Sequence, residues 1–331
     1  MNILVTLSDK VKETFLTPEI IQRIEETGKV TWLSGNPPDF TEEVLREHIK
    51  GIDICITGWG IPRFSARVLE NADRLKLVAH TAGSVANLVS DELYEKGVRV
   101  VSANKVFAES VAESVIAYLL SALRDIPYYV NDMKQGGWKS GDYYNRGLLD
   151  QTIGLVGFGE IPRYLAPMLK PFRAKLKAFD EYVDAETMAE YGVEKVELDE
   201  LFTSCPIISV HLPRTDETYH MIDKGLLGMI QDDGILINTA RGSVINEEAL
   251  VEELKTNRIK AVLDVFEEEP LSDESPLRKL DNALLIPHMA GPTVDRRKYA
   301  TMAVLDDIDN FISNKPLVHE ISAIRALRMT R

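Results

Sequence analysis

The sequence predicts an α/β protein built from two Rossmann-like domains, each a doubly wound parallel sheet. Three observations carry that expectation. Short apolar strands alternate with helical segments along most of the 331 residues, the pattern of parallel sheets covered by helices. One strand, from Ile153, runs through Gly-Leu-Val-Gly-Phe-Gly into a helix, the arrangement that brings backbone close to a ligand. Four later strands end on polar or ionisable residues, where doubly wound sheets gather their ligands.

The elements follow in order. Asn2–Leu7, Val30–Leu33, Ile52–Thr57 and Leu75–His80 read as strands, being short, apolar and rich in β-branched residues. Thr17-Pro18-Glu19 supplies an N-cap, a first-turn proline and an acid at the positive end of a helix that runs to Thr27. Further helices fit Phe40–Lys50, Ser65–Asn71 and Ser90–Lys96, the last capped by Ser90. Val106–Leu123 is a long apolar helix carrying Glu109, Ser110, Glu113 and Ser114, suited to bridging two domains or packing on a second subunit. Gln135–Gly147, with Trp138, Tyr143 and Tyr144, reads as a loop. Strands recur at Thr152–Val156, Leu176–Phe179, Ile207–His211, Gly234–Thr239, Lys260–Val265 and Ala283–Ile286, and Val294–Ser313 forms a closing helix.

Bulk composition narrows the function classes. A 45% hydrophobic content supports a large core. No stretch approaches the roughly 18 to 20 unbroken apolar residues of a membrane span, and the first ten residues read as a strand, not a signal peptide. Cys55 and Cys205 lie in apolar surroundings, as small buried hydrophobes of a reducing, cytoplasmic environment, and no metal site is expected. The net charge of −14 argues against nucleic acid or an anionic membrane as partner.

The glycine turn has a physical reading. Gly157 permits a tight turn, Gly159 lets backbone approach a diphosphate, and the helix from Glu160 and Ile161 aims N–H groups and its positive dipole end at the same group. Asp180 follows about 20 residues on, at the tip of the next strand, where a carboxylate accepts the hydroxyls of an adenosine ribose. These features predict a dinucleotide site. Asp180 and Glu181, with no basic residue immediately after them, favour NAD over its 2′-phosphorylated form. Pro162 occupies the position of the usual third glycine, tolerable in a first helical turn, and Pro167 is expected to bend or end the helix.

The strand ends suggest chemistry. Arg241 can fork onto a carboxylate, and Gly242 beside it would leave room for a ligand. His288, in a Pro-His-Met-Ala-Gly turn, is the group best able to carry a proton near neutral pH. Glu269 would favour its protonated ring, and Ala82, Gly83 and Ser84 could offer backbone N–H groups to a substrate carboxylate. The reaction implied is hydride exchange with a small 2-oxo acid, or with a 2-hydroxy acid in reverse.

The ordered motifs Gly-Leu-Val-Gly-Phe-Gly, His-Leu-Pro-Arg-Thr-Asp-Glu-Thr, Asn-Thr-Ala-Arg-Gly, Leu-Asp-Val-Phe-Glu-Glu-Glu-Pro and Pro-His-Met-Ala-Gly give the chain a further likeness. Over nearly its whole length it resembles the D-isomer-specific 2-hydroxyacid dehydrogenase family. The resemblance implies a catalytic trio of Arg241, Glu269 and His288, with Asp264 at the nicotinamide amide. It implies a discontinuous substrate domain, 1–103 plus 293–331, a dinucleotide-binding domain at 104–292, an active site in the cleft between them, and a homodimer. The chain departs from the family in Pro162 and in Phe172-Arg173-Ala174, where a glycine is usual before the second nucleotide strand.

The cofactor contacts expected are Gly157, Gly159, Glu160, Ile161, Asp180, His211, Pro213, Thr218, Thr239, Ala240, Asp264 and Gly291, with Ala82, Gly83, Ser84 and Arg241 on the substrate. Candidates for the side-chain pocket are Trp59, His80, Trp138, Tyr143 and Tyr144. The alternatives are a phosphite or formate dehydrogenase of the same fold, against the latter of which Glu269 argues, and a non-enzymatic NADH-sensing protein.

Overall fold

The computed structural model describes residues 1–138 and 145–330. The chain divides into two compact units, Met1–Ala108 with Pro292–Arg331, and Glu109–Gly291.

The first unit holds a five-stranded sheet of β1 (Asn2–Val5), β2 (Lys29–Trp32), β3 (Ile54–Thr57), β4 (Leu77–His80) and β5 (Arg99–Ser102). All neighbours are parallel, in the order β2-β1-β3-β4-β5. Alternation along each strand divides the core between the two faces. Leu4, Cys55, Val78 and Val100 point into one cluster. Ile3, Val5, Ile54, Ile56, Leu77 and Val101 point into the other, which the helix Arg297–Ile312 covers with Ala300, Val304, Leu305 and Ile308. The caps anticipated at Thr17 and Ser90 form, and Ser65 caps its helix in the same way, each accepting an N–H three residues on.

The second unit holds seven parallel strands: β6 (Thr152–Val156), β7 (Lys175–Phe179), β8 (Val193–Lys195), β9 (Ile207–Val210), β10 (Gly234–Asn238), β11 (Ile259–Leu263) and β12 (Ala283–Leu285). Their order is β12-β11-β10-β9-β6-β7-β8. Strand order therefore reverses between β6 and β9, and the crevice beyond their carboxyl ends is where such a sheet takes its ligand. Ile153, Leu155, Ile207, Ile235, Ile237 and Val262 fill one face, and Val156, Ile208, Val210, Leu236, Ala261 and Leu263 the other. Each fully buried aliphatic side chain contributes about 1.5–3 kcal/mol.

Several elements differ from expectation. β5 and β8 are short strands the sequence reading passed over, and the closing helix starts at Arg297, not Val294. Pro167 does not end its helix at once. The helix Glu160–Leu169 runs two residues past it, then tightens into a 3-10 turn at Lys170–Phe172. That turn closes on Arg173, whose φ of +54° supplies without glycine the left-handed step expected of one, at a cost of about 1 kcal/mol. Its guanidinium holds Asp150 at 2.8 and 2.7 Å.

The helix Asn104–Leu123 has a mean hydropathy of 1.5 in its most apolar stretch, so by length and composition alone it could cross a membrane. Here Ala112, Val115, Leu119, Ala122 and Leu123 pack into the core of the second unit.

Candidate active site

The glycine turn lies at the reversal point between β6 and β9. Gly157 has a φ of +95°, and a Cβ there would sit 3.1 Å from the His211 backbone, so both conformation and space require glycine. Its N–H donates to the Phe179 carbonyl and the N–H of His211 donates to Val156, knitting the three strand ends together. A Cβ on Gly159, by contrast, would meet nothing within 4 Å. The space in front of the Glu160–Leu169 helix is open, and the first-turn N–H groups there have no intrahelical partners. Pro162 is buried in that first turn.

Asp180 fastens the turn. Its Oδ2 accepts the Phe158 N–H at 2.7 Å, and its Oδ1 accepts those of Tyr182 and Val183 at 2.8 and 3.0 Å. Opposite, the ring nitrogens of His211 and the Thr239 hydroxyl are buried with no hydrogen-bond partner among the described residues. Burial pushes the His211 pKa down to about 3, so its ring is neutral. Buried polar atoms left unpaired at a strand-end crevice fit a polar ligand that completes them. An open cradle, a helix N-terminus and a carboxylate at the next strand tip therefore suit a dinucleotide. Thr218 closes the intervening loop by donating to the Pro213 carbonyl at 2.7 Å.

The trio sits on turns after β10, β11 and β12. Glu269 Oε2 lies 2.6 Å from His288 Nδ1, and Glu269 Oε1 accepts the Phe266 N–H at 3.0 Å. The His288 side chain is half exposed (50%), so its ring is open to a substrate. Its backbone has a φ of +51° and donates to the Asp264 and Ile286 carbonyls at 2.9 and 3.0 Å. Arg241 is half-buried, with Nη1 donating to the Ala240 carbonyl at 2.6 Å. Burial pulls its pKa below the ordinary arginine value, the Glu269 carboxylate opposes that, and Arg214 adds to it. Arginine remains charged throughout.

Supporting residues hold these turns, and of them Asn238, Tyr118 and Ser114 were not read as site residues from the sequence. Asn238 accepts the Ala240 N–H at 3.0 Å and donates to the Arg241 carbonyl at 2.9 Å, stapling the turn that presents Arg241. Asp264 is fully buried, and its carboxylate accepts the N–H groups of Met289 and Ala290 at 2.7 and 3.0 Å and the Tyr118 hydroxyl at 3.3 Å. Ser114 donates to the Ala290 carbonyl at 3.1 Å. Ser114 and Tyr118 are four apart on one face of the long apolar helix, the single sequence signal that they share a task. Gly291 closes the same turn.

Two expectations are corrected, at Gly242 and at His80. Gly242 does not leave room for a ligand: a Cβ there would fall 1.9 and 2.0 Å from the Phe266 carbonyl carbon and oxygen. The space belongs to the backbone of the segment that carries Glu269.

In the first unit, the turn after β4 contains Ala82, Gly83 and Ser84. The Gly83 carbonyl accepts from the Ser102 hydroxyl, and the Ser84 hydroxyl donates to the Thr330 carbonyl at 2.6 Å. Trp59 is 44% exposed and packs edge-on against Phe15 and Phe107, while Trp138 is 76% exposed. Tyr143 and Tyr144 lie outside the described residues. His80 is a buried core histidine and not a pocket residue, with Nδ1 2.9 Å from the Thr57 hydroxyl. Burial pushes its pKa down to about 4.

The neutral His80 has a pH consequence. The unfolded ring takes a proton below pH of about 6.5 while the folded ring stays neutral to about pH 4. Its contribution is complete above pH 6.5 and is lost as pH falls toward 4, at about 1.4 kcal/mol per pH unit. Thermal melts across that window are expected to show a slope that flattens in His80→Asn; an unchanged slope would refute a buried neutral ring.

Residues 116–290 match the family description "D-isomer specific 2-hydroxyacid dehydrogenase, NAD binding domain". The chain belongs to the D-isomer-specific 2-hydroxyacid dehydrogenase family. The glyoxylate reductase of Korarchaeum cryptofilum is 32% identical, over 90% of this chain and 92% of its own. The D-3-phosphoglycerate dehydrogenase of Methanocaldococcus jannaschii is 34% identical over 88% of this chain and 55% of its own. The chain thus spans about half the length of its phosphoglycerate dehydrogenase relatives. An acyclic imino acid reductase solved with NADPH and D-Arg superposes with a TM-score of 0.81 at 27% identity, over 97% of this chain and 100% of the other.

Proposed function

We propose that this protein is an NAD-dependent oxidoreductase that interconverts a small 2-oxo acid and the corresponding D-2-hydroxy acid. The observation that carries the reading is the 2.6 Å pairing of His288 Nδ1 with Glu269, beside Arg241, on strand-end turns of the sheet that bears the glycine turn. NAD(H), held at Gly157, Gly159, the helix N-terminus and Asp180, supplies or accepts the hydride.

The protein's own residues do the rest. Arg241 holds the substrate carboxylate and polarises the adjacent carbonyl, its partial burial strengthening both effects. Glu269 takes the Nδ1–H of His288 and so fixes the ring's orientation. Nε2 is then the atom that gives a proton to the ketone oxygen in reduction and removes it in oxidation. Asp264, Tyr118 and Ser114 keep the His288 turn in place. Gly83 and Ser84, whose N–H groups have no backbone partner among the described residues, suit the substrate carboxylate. Asp180 and Glu181 repel a ribose 2′-phosphate, favouring NAD over NADP. The bonded Glu269–His288 pair supports proton-coupled chemistry over formate oxidation, which needs no base. A cytoplasmic homodimer completes the reading, supported by the two buried free cysteines and by the exposed Ile126, Tyr128, Val130 and Met133.

Arg241→Ala tests the substrate half of this reading. It is expected to raise KM for 2-oxo acids and lower kcat together, a combined loss in kcat/KM of about 10²-fold or more, with NADH affinity unchanged. A fall in melting temperature alone would make Arg241 a structural residue.

A further inference from the structure

His220 has no part in the expected chemistry, yet it touches both segments that carry it. Its backbone N–H donates to the Ser243 carbonyl at 2.8 Å, just beyond Arg241. Its ring Nε2 lies 2.5 Å from Glu267 Oε1, just before Glu269. The ring is set by stacking on Tyr219, centroids 3.9 Å apart and planes 18° apart, and by the Asn246 amide 3.4 Å from Nδ1. Glu267 is braced in turn. Its Oε1 lies 3.4 Å from the Tyr219 hydroxyl, and its N–H donates to Glu247 Oε2 at 2.9 Å. The Phe266–Glu267 peptide packs on Gly242, and the Phe266 N–H donates to Glu269 Oε1. A continuous run of contacts therefore leads from His220 through Glu267 and Phe266 to Glu269 and the His288 ring.

We propose that His220 and Glu267 form a clamp that locks the Arg241 turn to the Glu269 segment and so sets where Glu269 holds His288. His220 is a positioning residue. This inference rests on the reading of Glu269 and His288 given above. The pair is 27% and 33% exposed, and pairs so exposed to solvent add little to global stability. Its effect should therefore be read in rate more than in melting temperature. His220 also holds a φ of +51°, an uncommon backbone conformation for a side chain other than glycine, which persists where the surroundings impose it.

The test is a double-mutant cycle on the full chain with NADH and a 2-oxo acid that it turns over. His220→Ala is expected to lower kcat on the order of tenfold, as small misplacements of catalytic groups do. KM for the 2-oxo acid and the melting temperature should stay close to wild type. His220→Gln, whose amide can still donate to Glu267, should recover most of the loss. In a Glu269→Gln background, His220→Ala should have almost no further effect. Equal losses in both backgrounds, or a rate loss that tracks a collapse in melting temperature, would overturn the clamp.

A second readout needs no turnover. The Nδ1 proton that His288 shares with Glu269 is identified in the proton NMR spectrum by its disappearance in His288→Ala. It should shift or exchange away in His220→Ala, and an unchanged resonance there would count against the clamp. If His288→Ala leaves turnover intact, the catalytic reading fails by itself, and this spectrum still judges the clamp.

Discussion

His288→Ala is expected to lower turnover by about 10²–10⁴-fold, the range for losing a general acid-base group, while NADH binding stays within a few-fold of wild type. The separation follows from the geometry. His288 lies on the turn after β12, half exposed and paired with Glu269, whereas the glycine turn and Asp180 lie after β6 and β7. Removing the imidazole takes away the proton carrier and leaves the dinucleotide crevice intact. Glu269→Gln should have a smaller effect in the same direction, since an amide can still meet Nδ1 but no longer offers a charge. Fluorescence titration with NADH, beside steady-state rates, separates binding from chemistry. Equal loss of both in His288→Ala would place the residue in the fold and not in the reaction.

Gly242→Ala is expected to be the most damaging single-methyl change in the second unit, costing about 3 kcal/mol or more. The added Cβ would fall 1.9 Å from a backbone carbon, and a backbone cannot rotate out of the way as the tip of a side chain can. Relief requires moving Phe266 and Glu267, which carries Glu269 with them, so activity should fall further than stability alone explains. Gly159→Ala is the matched control, because its Cβ meets nothing within 4 Å at a φ of −83°. That variant should melt like wild type yet bind NADH at least about tenfold more weakly, the methyl occupying the path by which backbone approaches the diphosphate. Calorimetry and NADH titration on the two variants give opposite patterns if the geometry is right. A stable, active Gly242→Ala would show that the Phe266–Glu267 peptide yields at no cost and does not fix Glu269.

These contrasts show which parts of the site were legible from the residue order. The glycine turn, Asp180, Arg241, Glu269 and His288 each follow an apolar strand, and strand ends are recognisable from local pattern alone. Parallel topology then brings those ends to one edge of one sheet. What was not legible depends on packing between segments distant in sequence. Gly242 looked like room for a ligand because nothing local shows that Phe266 fills the space. His80, at a strand tip, looked available but is buried against Thr57. Ser114 read as a polar interruption in an apolar helix and Tyr118 gave no sign of a role, and only the tertiary fold reveals that they hold Ala290 and Asp264. Arg173 shows the converse, a left-handed turn formed without the residue type that would have announced it.

The decisive measurement is NADH consumption with glyoxylate, pyruvate, hydroxypyruvate, 2-oxoisocaproate and phenylpyruvate, run beside NADPH and beside His288→Ala. The proposed function predicts turnover of at least one 2-oxo acid to its D-2-hydroxy product, faster with NADH than with NADPH and lost in the variant. Tight NADH binding without turnover of any of them, or turnover that survives loss of His288, would contradict it.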